Sequence, residues 1–543
     1  LREGKNRSIN FGLAQSNVEK SKKEIEFYER DLKISREKGN RKEEGEKLGN
    51  LGLSYSHLGE MRKAIEYYVQ ALEIFEEIGE RKGEGTVYTN MGLAYTRLGE
   101  IKKAIEYYLR ALEISRETGN RLHEGTIIGN LGLAFSLLGE IEKAIEYYEK
   151  ALEISIETGD RKGEKNNLGN LGNEYYKLGK TGKAIEYYER ALKVSRKAGD
   201  KRGEGDTLGN LALAYGRLGE IKKAAEYTEQ KIEVLRELGE KIKEGEAREN
   251  LALTYSFLRE TEKAINCHEE ALEIFRETGE KKKEAASCGN LGNMYLYLGN
   301  IRESLGYYLQ ALKIFKEIGN SEGERAVSIR LGEVYSSQGE TIKAARHFER
   351  ALEISRDAGN KKEEVILLEK LGHACIERRE IQRATKYYEQ ALKVSREMEN
   401  RQQEGNQLLN LGLAYSLLGE TKEAIECSER ALECFREVGD RRNEGFALSN
   451  LGITYDHIDE PEKAIERYIQ ALEIFKDLGD REKEGHQLFH LGLAYSSMGK
   501  SEKAIEHYEK ALGISREIGD KSQEETILKK LNGLQKAKNA NEY

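Results

Sequence analysis

The chain of 543 residues carries 89 basic and 97 acidic side chains, net −8, with 38% hydrophobic residues, 30 tyrosines, 55 glycines and one proline. That balance excludes a disordered acidic chain, a Pro-rich linker and a generic polyphosphate binder. No apolar run long enough to span a bilayer and no basic-then-apolar leader pattern occurs, and five cysteines without paired spacing suit a reducing, cytoplasmic compartment.

Taken in order, the sequence opens inside a helical pattern. Asn10, Phe11 and Gly12 align with Asn50, Leu51 and Gly52, and no initiator Met precedes them, so the chain reads as a fragment or processed product of a longer one. This first copy is degraded, with Gln15, Glu24 and Asp31 where later copies hold Tyr, Ala and Ala. In the next copy Leu48, Leu51, Gly52, Tyr55 and Leu58 recur at helical spacing and predict a first helix over about 42–58. Gly59 breaks it. Ala64, Ile65, Tyr68, Ala71, Leu72 and Phe75 predict a second helix over about 61–77, closed by Gly79 in the left-handed conformation. The stretch Gly49 to Gly85 returns from Thr89 to Gly125 and is still legible from Phe489 to Asp520, so an offset of 40 aligns nearly the whole chain. Thirteen copies fill residues 1–520, and the last 23 residues, 521–543, read as a polar-backed capping helix and tail. Asn120, Asp160, Asp200, Asp440, Asp480 and Asp520 follow closing glycines and can cap the next first helix. Pro461 falls in the first turn of a second helix, where its missing N–H costs little. The prediction is an all-α solenoid of about thirteen helix-turn-helix units plus a C-terminal capping helix.

Small residues explain how the helices approach. Gly52, Gly92, Gly132 and Gly172 begin a column in which Ala212 and Ala252 fill two gaps, and Ala64 begins a facing column broken by Glu24 and Ser304. Small side chains there allow axes at the short end of roughly 8–10 Å separation, with Tyr68 and Tyr55 as large plugs.

The pattern L-G-x-x-Y, G-E, A-I-E-Y-Y, A-L, carried by Leu51, Gly52, Tyr55, Gly59, Ala64, Tyr68 and Ala71, resembles the tetratricopeptide repeat. The usual unit has about 34 residues and a proline after the second helix. Here the unit has 40, and Glu76 stands at the proline position. Longer units ending G-D/N-R-x-x-E-G look like the Leu-Gly-Asn (LGN/Pins) class of scaffold and, less closely, kinesin light chain. The naming tripeptide stands at Leu171–Gly172–Asn173 and Leu291–Gly292–Asn293. The resemblance implies a right-handed superhelix whose first helices line a concave face, and a non-catalytic scaffold that binds extended peptide segments of partner proteins. Similar arrays also serve as sensor regions of large prokaryotic signalling NTPases, so a sensor or autoinhibitory arm is an alternative, and a purely architectural spacer is a third.

One column departs from packing logic: Asn10, Asn50, Asn90, Asn130, Asn170, Asn210, Asn250, Asn290, Asn410 and Asn450. Asparagine is a poor helix-interior residue. Its amide offers donors and an acceptor that can match the backbone of an extended peptide, and the resemblance implies such a ladder. The competing reading has each amide bonding a neighbouring helix. Arg330, Lys370 and His490 interrupt the row. Arg330 and Lys370 could clamp a carboxylate or phosphate, or reflect drift, because Cys375 and Arg379 also break the pattern nearby. A neighbouring column reads His57, Arg97, Leu137, Lys177, Arg217, Phe257, Tyr297. It suggests an acidic partner segment with hydrophobic anchors at Phe257 and Tyr297, and is equally compatible with a solvated face. Asn173 and Asn293 replace a leucine-dominated column and stand as specificity points.

Enzymatic motifs fail. Gly179-Lys180-Thr181 mimics the end of a phosphate loop, but Glu174 stands at its required glycine and no strand precedes it. His486 and His490 have metal-capable spacing without the glutamate of a zincin, and Cys427 and Cys434 read as small packing residues. No enzyme, cofactor or metal is expected. The charge run Lys281-Lys282-Lys283-Glu284 reads as a solvated face. No continuous basic stripe supports nucleic-acid binding, and no membrane contact is expected. Partners are therefore proteins, and self-association is open because long solenoids can intertwine or stack.

Overall fold

The computed structural model describes residues 3–541, with side-chain surroundings for residues 19–534. The side chains of Asn10, Phe11, Gly12 and Gln15 lie outside the described residues. All regular structure among the described residues is helical, in 26 helices. The first copy forms one helix, Glu3–Glu37, where a pair was expected. Glu19 stands in the place of the turn glycine Gly59, and the helix runs on. Helix pairs follow, beginning with Arg41–His57 and Met61–Ile78 and ending with Arg481–Ser497 and Ser501–Ile518, before a final helix, Lys521–Asn541.

Local chemistry sets these boundaries. The Asn40 side chain accepts the Glu43 backbone N–H at 3.2 Å, and Asp200 accepts that of Gly203 at 2.9 Å. Gly79 closes its helix at φ 68°, and Gly59 makes the inter-helix turn at φ 84°. Arg259, Arg379 and Asp459 occupy the equivalent turn at φ near 60° without being glycine, a conformation that costs about 1–2 kcal/mol. Pro461 starts the helix Pro461–Asp477.

The chain divides into two compact units, Leu1–Met294 and Tyr295–Tyr543. Each is an all-α solenoid in which a helix pair buries its apolar face against its neighbours. In the first unit the core runs through Leu51, Tyr68, Ala71, Met91 and Tyr108, and farther along through Tyr148, Leu171, Tyr188 and Leu211. In the second it includes Tyr388, Phe435, Tyr468 and Tyr508, with Ile527 and Leu531 of the final helix joining it.

The tyrosine positions have separate roles. Tyr68 is 1% exposed and fills the core. Tyr55 is half-buried and stacks on Tyr67, with centroids 5.3 Å apart, beneath the Lys63 ammonium at 5.2 Å. A buried ionic clasp is also repeated. Glu44 accepts from Arg36 Nε at 2.8 Å and from Arg41 Nη1 at 2.7 Å, and Glu124 and Glu404 accept from equivalent arginines. The last helical turn of one repeat is thereby tied to the first turn of the next.

Candidate functional site

The asparagine row sits mid-way along the first helices, one rung per helix. Asn50, Asn90, Asn130, Asn170 and Asn210 in the first unit are half-buried, as are Asn410 and Asn450 in the second; Asn250 is exposed. Beside Asn50, Asn90, Asn130, Asn170 and Asn450 a Gly–Tyr contact packs the first helix closely against its partner, so those rung backbones are fixed by the core. Among the described residues, none of these eight side-chain amides forms a hydrogen bond within the chain. Asn290 differs. Its Nδ2 donates to Glu249 at 2.8 Å, and Glu249 also accepts from Ser287 and lies 2.9 Å from His268 Nδ1. Burial pulls the Glu249 carboxyl upward, but these hydrogen bonds outweigh it and hold it below the usual carboxylate range.

Three consecutive rungs share one groove. A cleft of about 610 Å³ is lined by Asn130, Asn170 and Asn210, joined by Asn166, Asn167 and Asn173. Asn167 is buried and donates to Ser155 Oγ at 3.2 Å, and Asn173 accepts from Tyr188 Oη at 2.8 Å. Asn293 is exposed at the position equivalent to Asn173. Beside this cleft Glu174 is buried. Its Oε1 accepts from Ser136 at 2.7 Å and Lys177 at 2.8 Å, while Oε2 has no partner.

The basic column is held back against the preceding repeat. Arg97 Nη1 donates to the Ser56 carbonyl and to Ser56 Oγ, both at 3.1 Å. Arg217 donates to the Tyr176 carbonyl at 2.8 Å and lies over the Tyr176 ring at 4.7 Å. Lys177 donates to Ser136 Oγ at 2.9 Å. The two arginine contacts give a further donor to carbonyl groups at first-helix C-termini. Phe257 in the first unit is 81% exposed, and Tyr297 in the second is 71% exposed.

In the second unit Arg330 and Lys370 do converge, on Glu333. Arg330 Nη1 lies 3.0 Å from one carboxylate oxygen and Lys370 Nζ 3.1 Å from the other. The two positive groups thus already share an internal acid. His490, the third interruption, stacks on Tyr468 at 5.2 Å, and burial pushes its imidazole down to about 4.

Other groups fall outside any reactive arrangement. Burial raises the Cys267, Cys288 and Cys427 thiols to about 11, far from a reactive thiolate. Gly179 makes an inter-helix turn at φ 75°. No group of three or more metal-ligating side chains converges among the described residues, and no helix there is long and apolar enough to cross a membrane. Sequence reasoning missed the Glu44-type clasp, the buried Glu174 and the Glu249 network. Each is visible in principle as a column feature, the first as a recurring R-x-x-E and the other two as departures from the mostly small residues of their own columns.

Stacked pairs of short helices, phased every 40 residues and presenting one row of unspent amides, define a helical-repeat protein. The family profile described as Tetratricopeptide repeat matches residues 43–117, 83–157, 121–197, 165–237, 406–477 and 459–517, and one described as MalT-like TPR region matches residues 245–438. The chain belongs to the tetratricopeptide repeat family. No curated protein matches it. Among solved structures it is similar to BtubC (BKLC) from P. vanneervenii, at 24% identity over 42% of this chain and 92% of that one, with a TM-score of 0.37. It is also similar to a signal transduction ATPase (STAND) protein with a tetratricopeptide repeat sensor from Pyrococcus horikoshii, at 19% identity over 63% and 55%, TM-score 0.40. A putative kinesin light chain from Podosopora anserina has 20% identity over 36% and 95%, TM-score 0.32. The family match, and not these partial superpositions, defines the class.

Proposed function

We propose that this protein is a non-catalytic interaction scaffold whose asparagine row holds an extended peptide segment of a partner protein. The observation that carries this reading is the set of half-buried amides at Asn130, Asn170 and Asn210, which line one groove and spend no hydrogen bond inside the fold. An amide pays a desolvation cost in a half-buried site, and an extended backbone threaded along the groove would offset it with paired N–H and C=O groups. Arg97 and Arg217 favour an acidic segment, because each bonds a neutral carbonyl and its charge is not cancelled by a carboxylate. In this reading the helix pairs through residue 520 form the binding array, and Lys521–Asn541 closes its end.

The test is affinity capture of partners with the whole chain, repeated with Asn130, Asn170 and Asn210 all changed to alanine. Partner retention should fall about tenfold or more while far-ultraviolet circular dichroism is unchanged. Equal retention by the variant would reject the row as a binding element.

A further inference from the structure

Because the repeat is strict, the chain is its own control. At the position of Tyr68 most second helices carry a buried aromatic ring, as at Tyr108, Tyr148, Tyr188, Phe348 and Tyr468. His268 is 2% exposed and tied to Glu249, and Ser428 is 0% exposed against Gly412, so neither of those side chains reaches solvent. Thr228, in the helix Ile221–Glu237, supplies no ring, and a cavity of about 840 Å³ opens beside it. That volume lies within the roughly 300–1,000 Å³ of small-ligand pockets. Leu213, Ile221, Ala224 and Phe257 form its apolar wall, and Leu213 and Phe257 are 66% and 81% exposed.

Further departures fall at the same place. Ala225 replaces the isoleucine of Ile65, and Gly216 replaces the serine of Ser56. Ala212 stands in the glycine column, and at Gly52, Gly92, Gly132, Gly172, Gly372, Gly452 and Gly492 a Cβ would lie within 2.3–2.7 Å of the facing tyrosine ring. A tyrosine at position 228 would therefore crowd Ala212, and Thr228 leaves the ring's space unfilled. Lys231 replaces an alanine that is 0% exposed in eleven other second helices. Its ammonium lies 2.9 Å from where a Cβ on Gly209 would stand, half-buried at the cavity. Lys231 makes no ion pair or hydrogen bond with any described residue; Asp206 lines the same cavity without pairing to it. Asn210 and Asn250 both line the cavity, so the amide row passes it on both sides.

We propose that this cavity is an anchor pocket for an aromatic side chain of the bound segment, and that Lys231 holds the carboxylate of a neighbouring acidic side chain in that segment. The inference rests on the peptide-groove reading and names the residue pair the groove selects. The partner's ring takes the space that the repeat's own tyrosine fills elsewhere, and covers Leu213 and Phe257. The acid comes from a side chain and not from a chain terminus, because rungs continue on either side of the pocket.

The test uses the whole chain in three forms: wild type, Ala212→Gly with Thr228→Tyr, and Lys231→Met. The double variant installs the glycine–tyrosine pair of the other repeats, and its fold is checked by circular dichroism. Two probes are read: 2-naphthylacetate by saturation-transfer NMR, and random peptides fixed at their centre as Phe-Glu, Ala-Glu or Phe-Lys. Wild type should give a naphthylacetate signal and prefer Phe-Glu centres about tenfold. The double variant should lose both, and Lys231→Met should lose the preference for Glu over Lys. If wild type retains peptides without preferring Phe-Glu, or the double variant retains the same set, the anchor pocket is overturned while the groove reading stands. If wild type retains no peptide, the groove reading fails and naphthylacetate alone decides the pocket. A signal lost on filling then supports it, and no signal, or an equal signal in the filled variant, overturns it.

Discussion

A Cβ built on Gly52 would stand 2.5 Å from Cε1 of Tyr68 and 3.0 Å from the carbonyl oxygen of Ala64. The glycine admits the tyrosine ring, and the ring fills the core between the two helices of a repeat. Gly372 with Tyr388 repeats the relationship at 2.3 Å. Where the glycine becomes Ala212 or Ala252, the facing residue becomes Thr228 or His268. Alanine in the first column thus comes with loss of the tyrosine, whereas Ser428 faces a retained glycine, Gly412.

Gly52→Ala should destabilise the protein by about 1–3 kcal/mol, the usual range for overpacking a core. Adding Tyr68→Thr should recover part of that loss, because it removes the clashing ring. Urea unfolding of both single variants and the double variant checks this. Additive losses, with no interaction energy between the positions, would contradict the paired packing.

The buried clasps make the fold acid-labile. Burial pulls the Glu124 and Glu404 carboxyls up, but hydrogen bonds from two arginines each outweigh it and hold them below their ordinary 4.5. A carboxyl lowered in the folded state contributes stability that is complete above about pH 4.5 and is lost as pH falls through the lowered value. Glu404→Ala should cost about 1–2 kcal/mol at pH 7, because the partner arginines stay partly hydrated. The gap between variant and wild type should narrow on acidification below pH 4.5, as read from urea midpoints against pH. A pH-independent gap would show that the carboxylate charge is not what stabilises the clasp.

His490 adds a second, milder window. Its imidazole is pushed from 6.5 down to about 4, first by burial and then by His486. Unfolding therefore takes up a proton between those values, and the associated stability is present above pH 6.5 and lost as pH falls toward 4. His490→Asn, which restores the residue of the row, should flatten the stability curve between pH 6.5 and 4. Loss of the stack on Tyr468 shifts that curve as a whole without changing its slope. An unchanged slope would place the acid sensitivity elsewhere.

Glu333 governs whether Arg330 and Lys370 can grip an external acid. Glu333→Gln leaves the fold intact and frees both cations, so retention of a glutamate-rich peptide should rise several-fold and become more sensitive to salt. Titration of a labelled peptide at two ionic strengths reads both effects. Unchanged affinity would remove these two residues from the groove's recognition surface.

Much of the architecture is legible in the sequence alone. The phase of Leu51, Tyr55, Ala64 and Ala71, the left-handed turn at Gly79 and the cap at Asp200 all follow from backbone conformation and residues within one or two helical turns. The asparagine row is legible too, since a poor helix former recurring once per repeat needs a reason beyond packing. The two tyrosine columns are not separable by spacing, because Tyr55 and Tyr68 both recur at helical intervals. Only the facing Gly52 and Tyr67 decide that one ring is core and the other an outer stack.

By itself the sequence determined the period, the helices and turns from residue 41 onward and the candidate row, because each depends on local backbone preference repeated at a constant offset. The tertiary structure decided which polar groups are already spent. Arg97 and Arg217 reach back to the preceding helix end, Arg330 and Lys370 share Glu333, and Asn290 serves Glu249, while Asn130, Asn170, Asn210 and Lys231 have no partner among the described residues. It also decided that a cavity opens beside Thr228 while Ser428 is fully buried. A hydrogen bond is settled within about 3 Å. Most of the groups that settle these bonds lie about a repeat apart in the chain, so spacing proposes them and only packing chooses among them.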